Sequence, residues 1–559
     1  MKSTDALLRI ENLSVAYRTE SGGRKEHTAG IKNICFSLHA GEVCGIIGES
    51  GSGKTTLLSA IMGLLRERAV VRGKILYKQR EIANAPEKVL RTIRFKEIGL
   101  VFQNHAEYLN PTLSIEVQLS EILKKEIFDT VHRAKRLDEL LTAVGLHPAV
   151  KKKYPTELSG GMRQRVFIDM ALCLQPPLLL IDEPTTALDP ESKKHILMLL
   201  KTIQRTYHTA MLLVSHDVAV IEALSDTMMV LLDGHLIEKG KTDSILDEPK
   251  HPYTFGLLQS STYLNPWKDL WGIREGESGT YSCPFYTRCT QRSVECVHYT
   301  PHIPATCTEG AACVKGGICE ILSVKNITKL FHGSAAPVKA VDNCSLRVRH
   351  GETVALFGKS GSGKTTLLRI IAGLLKKDAG DIFFLQKKIE KNNLLSLPHA
   401  LQIVEQDSFS AMNPALSVEQ TVAEPYMIIH GNKYAACREI VATYLKKTGL
   451  PPDEATLKKK TIFLSGGQRQ KTAIARALIV QPKLLLADEI TAMLDDSAQV
   501  NIMRLLKQLQ YEFGFSLLLV THNSDLVKKT ADYVYCIDAG KIIREGSVRK
   551  IFGATALDT

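Results

Sequence analysis

No stretch of this 559-residue sequence approaches the roughly 18 consecutive apolar side chains that a bilayer-spanning helix needs. The apolar runs, such as Leu178 to Ile181 and Leu484 to Ala487, are short and end in acids, so the chain is not expected to span a membrane by itself. The first residues reach no apolar core before Arg9 and Glu11, which argues against a secretory leader and makes the cytoplasm the default compartment. Charge is not in excess either. With 23% charged, 6% aromatic and 44% hydrophobic residues there is ample material for packed cores, which excludes a chain kept disordered by self-repulsion. Disulfides are not expected in that compartment, so the twelve cysteines ask for another account, above all the six (Cys283, Cys289, Cys296, Cys307, Cys313 and Cys319) gathered within 37 residues. What the sequence does have is length for three or four folding units at roughly 100–200 residues each. Its net charge of +12 favours contact with something anionic, be it nucleotide, RNA or a membrane surface.

It also has an internal repeat. Gly48-Glu49-Ser50-Gly51-Ser52-Gly53-Lys54-Thr55-Thr56 returns 310 residues later as Gly358-Lys359-Ser360-Gly361-Ser362-Gly363-Lys364-Thr365-Thr366. Leu158-Ser159-Gly160-Gly161-Met162 returns as Leu464-Ser465-Gly466-Gly467-Gln468, Asp182-Glu183 as Asp488-Glu489, and His216 as His522, each 306 residues on. Two copies of one domain are therefore expected, and the change of offset needs only a four-residue difference in a surface loop. Each copy alternates short Val/Ile/Leu-rich runs with helical patterns, predicting an α/β fold with a largely parallel sheet covered by helices. Strands are predicted at Val43–Ile47, Leu178–Ile181 and Met211–Val214, and a helix at Lys54–Leu65. The expected layout is copy one at 1–262, an irregular Cys-rich module at 263–319 and copy two at 320–559.

The pattern G-x-x-x-x-G-K-[ST] suits a triphosphate. Glycines let backbone N–H groups curl around phosphate oxygens, and the helix that follows adds the partial positive charge of its N-terminus. Lys54 and Lys364 would reach the β- and γ-phosphates, and Thr55 and Thr365 would offer hydroxyls to Mg²⁺. Asp182 and Asp488 each close an apolar strand run, where a carboxylate is held rigidly near the metal. Glu183 and Glu489 would then face the γ-phosphate and orient or deprotonate an attacking water. His216 and His522 follow the next apolar runs; a lone histidine there would read as structural, and it is the repetition that points to the site.

These residues give nearly the whole chain a resemblance to a tandem ATP-binding-cassette ATPase. Leu-Ser-Gly-Gly resembles that family's signature, which binds the γ-phosphate held by the other cassette. The resemblance implies two composite sites. One would join Lys54, Thr55, Gln103, Asp182, Glu183 and His216 to Ser465, Gly466, Gly467 and Gln468; the other Lys364, Thr365, Gln406, Asp488, Glu489 and His522 to Ser159, Gly160, Gly161 and Met162. It further implies that Gln103 and Gln406 touch the metal, and that Tyr17 and Phe331 stack on adenine, against the alternative of core aromatics at strand ends. Met162 for the usual Gln, Ile490 for Pro and Phe331 for Tyr depart from the pattern without removing a charge or a metal ligand, so both sites are expected to hydrolyse ATP.

Glu248-Pro-Lys-His-Pro-Tyr-Thr254 followed by Cys283-Pro-Phe-Tyr-Thr-Arg-Cys289 resembles the tail of bacterial oligopeptide, dipeptide and nickel uptake ATPases. That branch implies a peripheral subunit at the cytoplasmic face of the membrane, with its two cassettes pairing inside one chain. It would work with two permeases and a solute-binding protein, without nucleic acid. The spacing of Cys283, Cys289, Cys296 and Cys313 is similar to that of relatives holding a [4Fe–4S] cluster, with Cys307 as a substitute fourth ligand. Zinc and free thiols remain the alternatives. The lysine runs at Lys151 to Lys153 and Lys458 to Lys460 read first as solvated helix ends or loops, and second as contacts with anionic headgroups. The rival reading is a soluble tandem-cassette ATPase acting on the ribosome. The net charge fits it, but the inter-cassette segment lacks a long charged helical pattern.

Overall fold

The computed structural model describes residues 6–553 apart from 22–23, 66–67, 103–107, 125, 187, 270, 277–280, 333–336, 390–400, 408–410, 432–436 and 493. The chain forms two compact units, one of residues 1–264, 277–287 and 293–317, the other of 265–276, 288–292 and 318–559. The stretch 263–319 is thus divided between them.

In the first unit a seven-stranded sheet runs in the order Gly310–Ala311, His235–Lys241, Thr227–Leu232, Val43–Ile47, Ala210–Val214, Leu178–Asp182, Ile98–Val101. The five strands from Thr227–Leu232 to Ile98–Val101 pair in parallel. The two remaining strands add antiparallel at the edge. Val43–Ile47, Leu178–Asp182 and Ala210–Val214 are buried at every residue, which is why they read as unbroken apolar runs and not as alternating ones. A second, antiparallel sheet of Arg24–Leu38, Leu8–Ser21, Ala69–Tyr77 and Arg80–Glu81 shares one hydrophobic core with the first. The predicted Lys54–Leu65 helix ends earlier, at Ile61. Gly63, at φ 66°, takes the left-handed conformation that stops it, and its N–H bonds Ala60 O at 3.0 Å.

The second unit repeats the plan. Its parallel order is Leu401–Val404, Leu484–Asp488, Ser516–Thr521, Thr353–Phe357, Tyr533–Asp538, with Lys541–Ser547 antiparallel at the edge. Its side sheet is Val338–Arg349, Glu320–Phe331, Ala379–Phe384 and Lys387–Lys388. No helix among the described residues is long and apolar enough to cross a membrane.

Candidate nucleotide-binding sites

Each glycine-rich loop lies between the end of a buried central strand and the start of a helix: Val43–Ile47 leads to Lys54–Ile61, and Thr353–Phe357 to Lys364–Ile371. The neighbouring strand explains the first glycine. A Cβ on Gly48 would lie 2.2 Å from Leu231 O, and one on Gly358 2.2 Å from Ile537 O, so only glycine lets the chain leave the sheet there. Lys54 Nζ donates to Gly48 O and Glu49 O, both at 2.9 Å, and Lys364 Nζ to Gly358 O at 2.9 Å and Lys359 O at 2.8 Å. Both ammonium groups are thereby folded back across their loops. Burial lowers the Lys54 ammonium from its ordinary range, against the pull of Glu183 and Asp182.

Parallel register brings the acids to the loops. Asp182 pairs with Val214 and Asp488 with Val520, at the ends of strands one place removed from the loop-bearing strand. Thr55 Oγ1 donates to Asp182 Oδ2 at 2.7 Å, and Thr365 Oγ1 to Asp488 Oδ1 at 3.1 Å. Burial pushes both carboxyls up, and Asp182 Oδ1 is buried without a hydrogen-bond partner. A buried orphan carboxylate oxygen beside a threonine hydroxyl is an oxygen-donor set that fits Mg²⁺, a small cation that keeps several waters and takes few protein ligands.

The next residue turns sharply. Glu183 and Glu489 have φ of 52° and 41°, strained for a side chain larger than glycine, and their N–H groups bond Val214 O at 2.9 Å and Val520 O at 3.0 Å. Glu183 Oε2 lies 2.7 Å from His216 Nδ1, and its Oε1 accepts the His216 N–H at 3.0 Å. Glu489 Oε1 lies 3.4 Å from His522 Nδ1 and 3.5 Å from Lys364 Nζ. In the first unit these groups surround a cavity of about 1120 Å³ lined by Lys54, Thr55, Asp182, Glu183 and His216.

Ser159 and Ser465 are N-caps of the helices Gly160–Leu172 and Gly466–Leu478, their Oγ accepting the Met162 and Gln468 N–H groups at 3.3 Å. The two serines and the glycines that follow them therefore stand at exposed helix starts. Tyr17 shares a hydrogen bond of 2.9 Å with Thr56 Oγ1, beside the first loop, whereas Phe331 is exposed and carries Lys329 Nζ 5.6 Å above its ring. Gln406 is exposed just past Leu401–Val404, the strand next to Leu484–Asp488; Gln103 lies outside the described residues. Lys151 and Lys458 form ion pairs with Asp138 and Glu454 at 2.6 Å.

None of the twelve cysteines is joined in a disulfide. Cys283, Cys296 and Cys313 belong to the first unit and Cys289 to the second. Burial raises the Cys283 thiol, with Cys296 and Cys313 adding to the rise. Among the described residues no group of three or more His, Cys, Asp or Glu side chains is arranged to hold a metal.

Sequence reading missed one contributor. The helix Pro252–Gln259 and the residues after it line the first cavity through Leu257, Ser260, Ser261, Thr262 and Tyr263. The His-Pro-Tyr signal was legible, but nothing in its spacing places it beside a loop 200 residues earlier in the chain.

Known proteins bear on this geometry. The ABC transporter family matches residues 31–186 and again 341–492, and the family described as oligopeptide/dipeptide transporter, C-terminal region, matches residues 237–296. A glutathione import ATP-binding protein of Pectobacterium atrosepticum is 32% identical over 98% of this chain and 87% of its own length. A peptidoglycan transport ATP-binding protein of Agrobacterium fabrum is 33% identical over 98% and 94%. An oligopeptide transport ATP-binding protein of Mycobacterium tuberculosis is 31% identical over 98% and 96%.

Proposed function

The chain belongs to the ABC transporter family as a fused pair of ATP-binding cassettes, and from that premise we propose that it energises import of peptides or peptide-like compounds through partner permeases. The observation that carries the reading is the doubling: one Lys-Thr-Asp-Glu-His constellation stands at equivalent strand ends twice in one polypeptide. Bound Mg-ATP supplies the phosphoanhydride whose hydrolysis drives the cycle. Lys54 and Lys364 exchange their loop carbonyls for phosphate oxygens. Thr55 with Asp182, and Thr365 with Asp488, hold the metal, aided by Gln103 and Gln406. Glu183 and Glu489 take up the water, with His216 and His522 fixing their carboxylates. Ser159, Gly160, Gly161 and Met162, and their counterparts Ser465, Gly466, Gly467 and Gln468, complete the opposite cassette's site across a shared interface.

Two nucleotide-binding domains, 1–262 and 320–559, joined by the Cys-rich stretch 263–319, are the division this reading uses. The partners are two membrane permeases and a solute-binding protein, with the chain docked peripherally on the cytoplasmic face. Transport relatives over 98% of the chain support this assignment over a ribosome-acting ATPase. A nickel chelate stays within the cargo proposal on the resemblance of the tail alone. Affinity capture from native membranes tests the function: two polytopic proteins should co-purify, and their absence together with salt-sensitive ribosome co-sedimentation would overturn it.

A [4Fe–4S] cluster on Cys283, Cys289, Cys296 and Cys313 is the narrower part of the proposal. It rests on the cysteine spacing and on the mutual electrostatic reach of three of the thiols. Anaerobic purification with iron and sulfide assay decides it; a colourless, iron-free protein with full activity retires it.

A further inference from the structure

One wall of the first cavity comes from outside the repeated motifs. His251 caps the helix Pro252–Gln259, its Nδ1 accepting the Tyr253 N–H at 3.1 Å. That start is anchored from below: Glu238, 1% exposed, accepts the Lys250 and His251 N–H groups at 2.7 and 2.8 Å. Burial drives the His251 imidazole down to about 3, so it stays a neutral acceptor. Tyr253 is fully buried, and its hydroxyl accepts the N–H of Glu49, the second residue of the phosphate-binding loop, at 2.9 Å. Phe285, from the Cys283-Pro284-Phe285 run, meets the Tyr253 ring edge-on at 5.6 Å.

The Glu49 N–H and the Gly48 carbonyl belong to one peptide group, and that carbonyl is an acceptor of Lys54 Nζ at 2.9 Å. Because a peptide group is planar, fixing its N–H direction fixes its carbonyl direction. We propose that Tyr253 is a positioning residue for the first phosphate-binding loop: its hydroxyl sets the Gly48–Glu49 peptide plane, and through that plane the start point of Lys54. The segment after the first cassette, with Phe285 of the Cys-rich stretch behind it, is thereby a structural part of site one. Lys364 bonds Gly358 O in the same way, but the sequence contains His-Pro-Tyr once, so a lock built from this motif serves the first site alone.

This inference rests on reading the first cavity as a nucleotide site, and the experiment separates the two. Full-length protein carrying Lys364→Ala reports Mg-ATP binding at site one, and protein carrying Lys54→Ala reports site two. Tyr253→Phe is expected to weaken binding about three- to tenfold in the first background and to leave the second unchanged. Phe285→Leu, which keeps the hydroxyl but loosens the ring, should weaken site one about twofold and decides the matter if Tyr253→Phe fails to fold. Unchanged affinity at site one, or equal losses at both sites, overturns the lock. Failure of the Lys364→Ala protein to bind Mg-ATP at all would instead overturn the nucleotide reading, and the lock with it.

Discussion

The two strand-end glutamates share a backbone and differ in company. Glu183 and Glu489 both turn through the left-handed region, and both give their N–H to the neighbouring strand. Yet Glu183 is engaged by His216 through its side chain at 2.7 Å and its backbone at 3.0 Å, while Glu489 stands between His522 at 3.4 Å and the loop lysine Lys364 at 3.5 Å. The frame is thus set by parallel register and strand-end geometry, and the tuning by which side chains reach the carboxylate. In the second cassette the lysine reaches both its loop and the acid, whereas in the first the acid is held by the histidine at hydrogen-bond distance and attracts the loop lysine electrostatically.

The harshest test of that comparison is to remove both acids. The Glu183→Gln, Glu489→Gln double variant should lose at least about 100-fold in steady-state ATP turnover, since an amide accepts no proton from water. Each single change should lower the rate too, and a single variant with the parental rate would show that its cassette does not hydrolyse. Next come the lysines. Lys54→Ala and Lys364→Ala should each weaken nucleotide affinity at their own site by about tenfold or more, the worth of a charge-assisted hydrogen bond to phosphate. Calorimetry should separate them further: Lys364→Ala breaks an ion pair with Glu489, whose side chain is 11% exposed, whereas Lys54→Ala removes an attraction to Glu183 that His216 backs up, so Lys364→Ala should cost about 0.5–1.5 kcal/mol more. Equal melting temperatures would break the contrast.

Much of this was open to sequence reading because the chemistry demands narrow residue choices. Buried strands ending in Asp-Glu, and glycine where a neighbouring strand's carbonyl sits within 2.2 Å of a would-be Cβ, leave few alternatives to the chain. The strands at Val43–Ile47 and Leu178–Asp182 follow from unbroken apolar runs. What stayed hidden was non-local or conformational. The left-handed turn at Glu183 carries no signal in residue type, because glutamate gives no hint of φ 52°. The antiparallel side sheets are built from long strands with bulges between Ile10 and Leu13 and between Val324 and Ile327, which break the alternation that would have announced them. Tyr253 reaches Glu49 only through tertiary packing.

The signature helices sharpen the comparison at a second place. Asp169, in the helix Gly160–Leu172, is fully buried with both carboxylate oxygens unpartnered, and 306 residues on the second cassette has Ala475. Burial pushes the Asp169 carboxyl up to about 8 from an ordinary 3.8, against the pull of Arg136. Between those values the folded chain keeps a proton that the unfolded chain has released, so stability falls as pH rises, by at most about 1.4 kcal/mol per pH unit. Asp169→Asn removes that slope. Its melting temperature should rise above the parent's by a gap of several degrees that widens from pH 5 to pH 8. A gap that does not change with pH would mean that Asp169 titrates as an ordinary surface acid.

The smallest effect lies at the first turn of the same helices. Gln468 returns its Oε1 to the Ser465 N–H at 3.2 Å while Ser465 caps the Gln468 N–H, a reciprocal pair that ties down the start of the second signature helix. Met162 occupies that position in the first cassette and has no oxygen to offer, so Ser159 caps one way only through its side chain. Both serines are exposed, which places the missing bond at the low end of capping energies, about 0.5 kcal/mol. Met162→Gln should therefore raise the melting temperature by about 1–2 °C, and Gln468→Met should lower it by a similar amount. Opposite signs for the two exchanges would tie the difference to the cap itself. Loss of stability in both would mean that each side chain is fitted to its own surroundings, and that the unequal helix starts are a matter of packing and not of hydrogen bonding.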